Sequence, residues 1–334
     1  MADATVDVVR GTVVESRHRI HAAVVDSSGV LRASVGNPEL TTFFRSAAKP
    51  FQVLPLVEDG GMDRFGFTLE ELALCCGSHS GEDRHVRTAE SILFKVGLDG
   101  EALECGPHAP FDKASRRDLT EAGLEPMRLH NNCSGKHAGM MALARVHGWE
   151  PTGYHRPEHP VQQRVLAELV RWVNMPPEAM ALGTDGCGVV CFGLPLYNMA
   201  LAYSRLAKAY RLGEREPTYV VGAMVNYPEM VAGDGRLCTD LMQQTAGRVF
   251  AKTGAEGLYC VGIPGAELGI AMKVEDGSSR AVGPAVLAIL RQLDLISEDD
   301  LGALASHAYP ECSNTRGETV GHIRCSIPLR TPDA

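Results

Sequence analysis

The chain has 334 residues, 45% of them hydrophobic, enough to bury one large core or two cores that share an interface. Its formal net charge of −9 opposes broad attraction to nucleic acid or to an anionic membrane surface. No stretch reaches the roughly 20 continuous apolar residues of a membrane-spanning helix, so a small-molecule partner is expected.

From Val6 to Gly36 three short β-branched runs are separated by Glu-Ser and Asp-Ser-Ser-Gly punctuation, which predicts an antiparallel β-meander. The N-terminal segment carries Arg10, Arg17 and Arg19 and no short apolar block of a secretory signal, so a cytoplasmic location with reduced cysteines is expected. Helical spacing begins at Ser46 and runs to about Val57, and a second helix is predicted over Leu69–Cys76 with Thr68 as its cap. A further helix is predicted over Gly81–Gly97, then a loop rich in Pro, Gly and His over Cys105–Asp118. His130–Lys136 reads as a loop feeding an Ala-rich helix that ends near Gly148. Helical periodicity returns over Pro157–Met175 and Asn198–Arg211, with a Gly-rich turn between apolar runs at Ala181–Leu196. Ala246–Gly265 reads as turn, strand and turn. Strands, then mostly helices, then strands predict an α+β fold. Its sheet would come from about residues 1–45 and 250–334, and its mostly helical insertion from about 46–249, as one catalytic unit over 1–334 with up to two subdomains.

Ser46 and Lys49 form a Ser-x-x-Lys whose side chains share one face of the first helical turn. Such a lysine can serve the serine as base, but working near neutrality requires its pKa of about 10.4 to fall by about three units. Burial or a neighbouring cation must supply roughly 4 kcal/mol for that. Phe43, Phe44, Phe51 and Val53 flank the pair and put it at the edge of a core. Lys252-Thr253-Gly254 lies in the Ala246–Gly265 segment and Ser78 follows Cys75-Cys76-Gly77. With Ser46 and Lys49 these partly resemble the motifs of penicillin-binding proteins and serine β-lactamases.

Cys133 and Cys187 are candidate soft ligands for zinc, with a nitrogen from Lys136 or His137 as a third and water as a fourth, the open pattern of a reactive metal site. A phosphate loop is excluded at Ser134-Gly135-Lys136, because His130 stands where that pattern needs glycine.

Four blocks then occur in order: Arg45-Ser46-Ala47-Ala48-Lys49-Pro50, Cys76 to Glu82, Asn131-Asn132-Cys133-Ser134-Gly135-Lys136-His137 on to Met140, and Asp185-Gly186-Cys187-Gly188. Together they resemble the rhizobial-type (class 3) L-asparaginases, also called asparaginase II-like proteins, over nearly the whole chain. The resemblance implies a serine β-lactamase/penicillin-binding-protein-like fold, a homodimer, zinc, and hydrolysis of L-asparagine to L-aspartate and ammonia. It implies Ser46 as nucleophile with Lys49 beside it, Ser78 with Lys252 as a second Ser-Lys pair, and Cys133, Lys136 and Cys187 as zinc ligands.

An amino-acid substrate also needs a cation for its α-carboxylate and an anion for its α-ammonium. Arg45 and Asp185 are the nearest charged neighbours of the motifs. Two other readings compete: a penicillin-binding-like serine acyl hydrolase or amidase, and a non-catalytic zinc-binding scaffold.

Overall fold

A computed structural model of the chain describes residues 4–331. Residues 1–3 and 332–334, the outer ends of the segments expected to share a sheet, lie outside the described residues. The strands in chain order are β1 (Thr5–Arg10), β2 (Val13–Asp26), β3 (Leu31–Val35), β4 (Thr41–Phe43), β5 (Ala181–Thr184), β6 (Val190–Pro195), β7 (Phe250–Thr253), β8 (Leu258–Ile263), β9 (Leu268–Val274), β10 (Glu311–Ser313) and β11 (Thr319–Ser326). The chain divides into two compact units: Met1–Ala47 with Leu194–Lys208 and Asp240–Ala334, and Ala48–Gly193 with Ala209–Thr239. No helix among the described residues is long and apolar enough to cross a membrane.

The first unit is built on an antiparallel sheet in the order β10-β11-β1-β2-β9-β8-β7, with β3 paired to β2 off that path. Its first three strands are the meander expected from the alternation over Val6–Gly36. At 14 residues β2 serves three partners. Its first half pairs with β1, and its second half with β9 on one side and β3 on the other. Pairing of β1 with β11 joins the two ends of the chain in one sheet, so the α+β organisation expected from the order of elements is the one present.

The apolar helix Val282–Gln292 packs on β8, β9 and β11. It carries few polar residues on any side, so it has no amphipathic period by which the sequence would announce it. Across the sheet, Gly269 of β9 lies so close to the helix Leu196–Arg211 that a Cβ there would sit 2.0 Å from the Ala200 carbonyl oxygen.

The second unit is mainly helical. Helix Lys49–Glu58, buried over nearly its whole length, packs against Ser134–His147, Pro160–Val173 and Arg215–Asn226. Thr68 caps helix Leu69–Cys75 through a capping box: its hydroxyl accepts from Glu71 N–H at 3.2 Å, and Glu71 accepts from Thr68 N–H at 2.7 Å. One expectation is corrected. The segment Cys105–Asp118, read as loop, contains the start of helix Lys113–Glu121. That helix has no buried residue and so no apolar stripe; the Asp112 carboxylate starts it by accepting from Ser115 N–H at 2.6 Å. β5 and β6 pair as a hairpin around the Gly-rich turn expected there.

Candidate active site

Lys49 opens its helix and is fully buried. Its Nζ donates to the Gly77 carbonyl, to Ser78 Oγ at 2.9 Å and to the Asn132 carbonyl at 3.5 Å. Burial drives its pKa below the ordinary 10.5, opposed by the Cys133 and Cys187 sulfurs and reinforced by the Lys136 cation. Ser78 is held from both sides: its N–H donates to the Val231 carbonyl at 2.8 Å, and the next N–H, of His79, donates to the Asn132 carbonyl at 3.1 Å. Arg236 Nη1 donates to the Ser78 carbonyl at 3.2 Å, and the guanidinium lies 5.5 Å over the Phe111 ring.

Cys133 stands at the N-cap of helix Ser134–His147. The Asn131 side chain shapes that entrance: Oδ1 accepts from Cys133 N–H at 2.9 Å and Nδ2 donates to the Gly106 carbonyl at 2.8 Å. Gly135 is required by a close approach, since a Cβ there would lie 2.4 Å from the Leu74 carbonyl oxygen. The helix entrance therefore seats directly on the end of helix Leu69–Cys75, just before Ser78.

Lys136 Nζ, also buried, donates to Cys187 Sγ at 2.9 Å. Cys187 sits in the turn between β5 and β6, which Asp185 closes by accepting Gly188 N–H at 2.8 Å while Gly188 takes φ +94°. The side-chain hydrogen bond to Cys133 outweighs burial and, with the Lys136 cation, brings the Cys187 thiol down to about 5. The same hydrogen bond and burial push Cys133 up to about 12. Burial works to lower the Lys136 pKa, but the neighbouring Cys187 and Asp185 outweigh it and hold the amine above its ordinary 10.5. No group of three or more His, Cys, Asp or Glu side chains that could hold a metal ion is found among the described residues.

His137 Nδ1 meets the Tyr154 hydroxyl at 2.5 Å, and that hydroxyl accepts Glu104 N–H at 3.0 Å. Which of the two donates in the His137–Tyr154 pair is set by the tautomer of the ring.

In the first unit, Ser46 is half-buried in the 3₁₀ turn Arg45–Ala48, which runs into helix Lys49–Glu58. Arg45 takes φ +48°, a left-handed conformation costly for a residue with a Cβ. The turn is anchored by Tyr203, whose hydroxyl donates to the Ala47 carbonyl at 2.8 Å and whose ring stacks on Phe250 with centroids 5.6 Å apart. Phe250 opens β7, and Lys252, fully buried two residues on, donates to the Thr253 carbonyl at 3.0 Å.

Of the residues expected from the sequence, Lys49 and Ser78 thus meet, as do Cys133, Lys136 and Cys187 with Asp185 in the same turn. Arg45, Ser46 and Lys252 belong to the first unit. Arg236, Tyr154 and the Asn132 carbonyl carry no motif signal, because each acts through backbone or through a partner far away in the chain.

The sequence profile of L-asparaginase II matches residues 6–325. The chain belongs to the L-asparaginase II family. By its name, the family is one of L-asparaginase-type amidohydrolases. No curated protein matches the chain. Among solved structures it is similar to a β-lactamase from Mycobacterium bovis, 13% identical over 86% of this chain and 95% of that one, with a TM-score of 0.42. It is also similar to the octameric penicillin-binding protein homologue from Pyrococcus abyssi, 15% identical over 82% and 73%, with a TM-score of 0.41. Native Mglu in 4.3 M NaCl is 15% identical over 83% of this chain, with a TM-score of 0.38, and the chain spans 61% of the length of that protein.

Proposed function

We propose that this chain is an L-asparagine amidohydrolase that releases L-aspartate and ammonia through serine-lysine chemistry next to a zinc site. The observation that carries the reading is the buried Lys49, bonded to Ser78 Oγ at 2.9 Å, in a chain of the L-asparaginase II family. A desolvated lysine holds the neutral amine that a general base requires.

In this reading Ser46 Oγ attacks the side-chain amide carbon as neutral Lys49 takes its proton. Backbone N–H groups at the helix start stabilise the oxyanion. The C–N bond breaks, Ser78 with Lys252 relays a proton to the leaving amine, ammonia departs, and water hydrolyses the acyl-serine ester. Arg45 and Asp185 serve the α-carboxylate and α-ammonium.

The donor set Cys133, Lys136 and Cys187 suits zinc: two sulfurs and one amine are neighbours in a buried cluster, and the Cys187 thiol is brought down to about 5. Binding would release protons from Cys133 and Lys136. Lys136 is favoured over His137 as the nitrogen ligand, because a His137 ring that accepts at Nδ1 presents an N–H, not a lone pair, at Nε2. Bound zinc would supply positive charge for the substrate and hold both sulfurs deprotonated.

The test is ammonia release from L-asparagine and L-glutamine by the purified protein, with zinc stoichiometry and sedimentation on the same sample. Asparagine turnover by a dimer with about one zinc per chain is expected. A β-lactam adduct on Ser46 without asparagine turnover would favour the penicillin-binding-like acyl hydrolase. Zinc binding with no hydrolysis at all would favour the scaffold.

A further inference from the structure

The sheet of the first unit ends on β10, which is three residues long and covers β11 only as far as the pair Glu311 and His322. Pro310 stands before Glu311 and has no N–H with which to extend the ladder. Beyond that point Ile323–Ser326 pairs with β1 on one side and with no strand on the other. Alternate residues of an antiparallel strand direct their N–H and C=O to opposite edges, so two of these four present theirs to the open side. Among the described residues no backbone hydrogen bond outside the sheet involves them.

Beneath the same edge lies a cavity of about 400 Å³, between β11 and the helices Val282–Gln292, Glu298–Ala303 and Ala305–Ala308. Leu287, Ala288, Leu301, Ile323 and Cys325 line it, together with Tyr309, an aromatic residue left 57% exposed. On β11 the side chains alternate, Ile323 and Cys325 toward the cavity and Arg324 away from it. Arg324 is more than half exposed and reaches Asp7 with one nitrogen at 3.2 Å, while Arg17 holds that carboxylate with two bonds of 2.9 and 3.0 Å. Arg324 therefore has donors to spare beside the open edge. The carboxylate of Glu311, at the end of β10, is turned the other way, to the Thr319 hydroxyl at 2.6 Å.

We infer that Ile323–Ser326 is a docking edge for an extended segment of another protein, which adds a strand in line with β10, seats an apolar side chain in the cavity and sets an acidic one beside Arg324. The four residues span about 13 Å, so four or five residues of the partner cover them. Main-chain hydrogen bonds supply affinity, and the cavity and the guanidinium select the side chains. A second copy of this chain is the poorer occupant. Residues that pair across a ladder share a face, so antiparallel self-pairing centred on this edge sets Arg324 directly or diagonally opposite its own copy.

The test uses the full chain and a fluorescein-labelled peptide, Asp-Phe-Asp-Val-Asp-Val, followed by anisotropy. One companion peptide carries lysine at the three acidic positions, and two others are N-methylated on the odd or on the even residues. The acidic peptide should bind saturably and the lysine peptide about tenfold more weakly. One set of methyl groups should abolish binding and the other should be tolerated, because only alternate amides of an added strand face β11. Bound peptide should slow amide hydrogen exchange in the stretch containing Ile323–Ser326. Arg324→Gln should erase the preference for the acidic peptide, and Ala288→Phe, which fills the cavity, should abolish binding, with Tm measured on both. The methylated peptides test the edge in the wild type whatever the variants do. No binding of the acidic peptide at millimolar concentration, equal binding of the two charge forms, equal effects of the two methylation patterns, or exchange protection elsewhere overturns the inference. Self-association of the wild type that is lost in Ala288→Phe would assign the edge to a second copy and overturns it as well.

Discussion

Lys49 Nζ and Ser78 Oγ lie 2.9 Å apart with both residues withdrawn from solvent. The lysine of the Ser-x-x-Lys is therefore engaged with a serine 29 positions later in the chain. Burial without a carboxylate partner favours the neutral amine, and the Gly77 and Asn132 carbonyls aim it. The same lysine has Ser78 as a route for passing its proton on.

Removing that amine should abolish most of the turnover. Lys49→Met is expected to lower kcat about 10²- to 10⁴-fold, the range for loss of a positioned general base. In the proposed mechanism the neutral amine is the working form, so in the wild type kcat/KM should rise with pH as Lys49 loses its proton. Burial puts the midpoint of that limb below the ordinary 10.5. A pH–rate profile whose limb is centred at the ordinary lysine value would contradict this.

Metal content provides a separate check. On the proposed zinc site, Cys133→Ser, Cys187→Ser and Lys136→Met should each lower zinc occupancy measured by elemental analysis after dialysis. His137→Phe should retain the metal. Retention of full occupancy by Lys136→Met, with loss in His137→Phe, would reverse the assignment of the nitrogen ligand.

Arg236 holds the Ser78 carbonyl and lies over Phe111. Arg236→Ala should loosen the segment that presents Ser78 and reduce kcat about 10- to 100-fold, as expected for a displacement near 1 Å in a reacting group. Arg236→Lys should recover part of it. Unchanged kcat in the alanine variant would show that the backbone bonds to Val231 and Asn132 suffice.

Gly135 lies inside a helix, where alanine normally stabilises by about 1 kcal/mol. Here the sign reverses, because the new Cβ would come to 2.4 Å from the Leu74 carbonyl oxygen. Gly135→Ala is expected to destabilise by about 1–3 kcal/mol and to reduce activity, since the helix entrance that carries Cys133 must shift. Denaturant melts check the first effect.

Acid should weaken the first unit through Glu275, which receives two 2.7 Å bonds from Arg19 and one of 3.0 Å from His21. Those bonds, Arg19 first, hold its carboxyl at about 2 against an ordinary 4.5. A depressed carboxyl contributes stability that is present above the ordinary value and lost as pH falls toward the lowered one, here between 4.5 and about 2. Glu275→Gln should therefore differ from the wild type in Tm at pH 6 and converge with it near pH 2. A constant difference across that window would remove Glu275 as the titrating group.

The amino-acid sequence by itself determined what depends on neighbours three or four residues apart. The β-branched runs over Val6–Gly36 specified three strands, because turn-forming residues separate them. Thr68 and Glu71 specified a helix start, because the two satisfy each other's backbone N–H groups. The motif blocks identified the chemistry-bearing residues. Helix Lys113–Glu121 escaped because it buries nothing, and Val282–Gln292 because it is buried on nearly every side. Only the tertiary structure decided which of the marked side chains meet. Lys49 with Ser78, Lys136 with Cys187 51 positions later, and Arg236 with Ser78 158 positions earlier are brought together by backbone approaches that Gly135 and Gly77 permit. The contact of His137 with Tyr154, and of Tyr154 with Glu104, likewise exists only once the chain has closed around them.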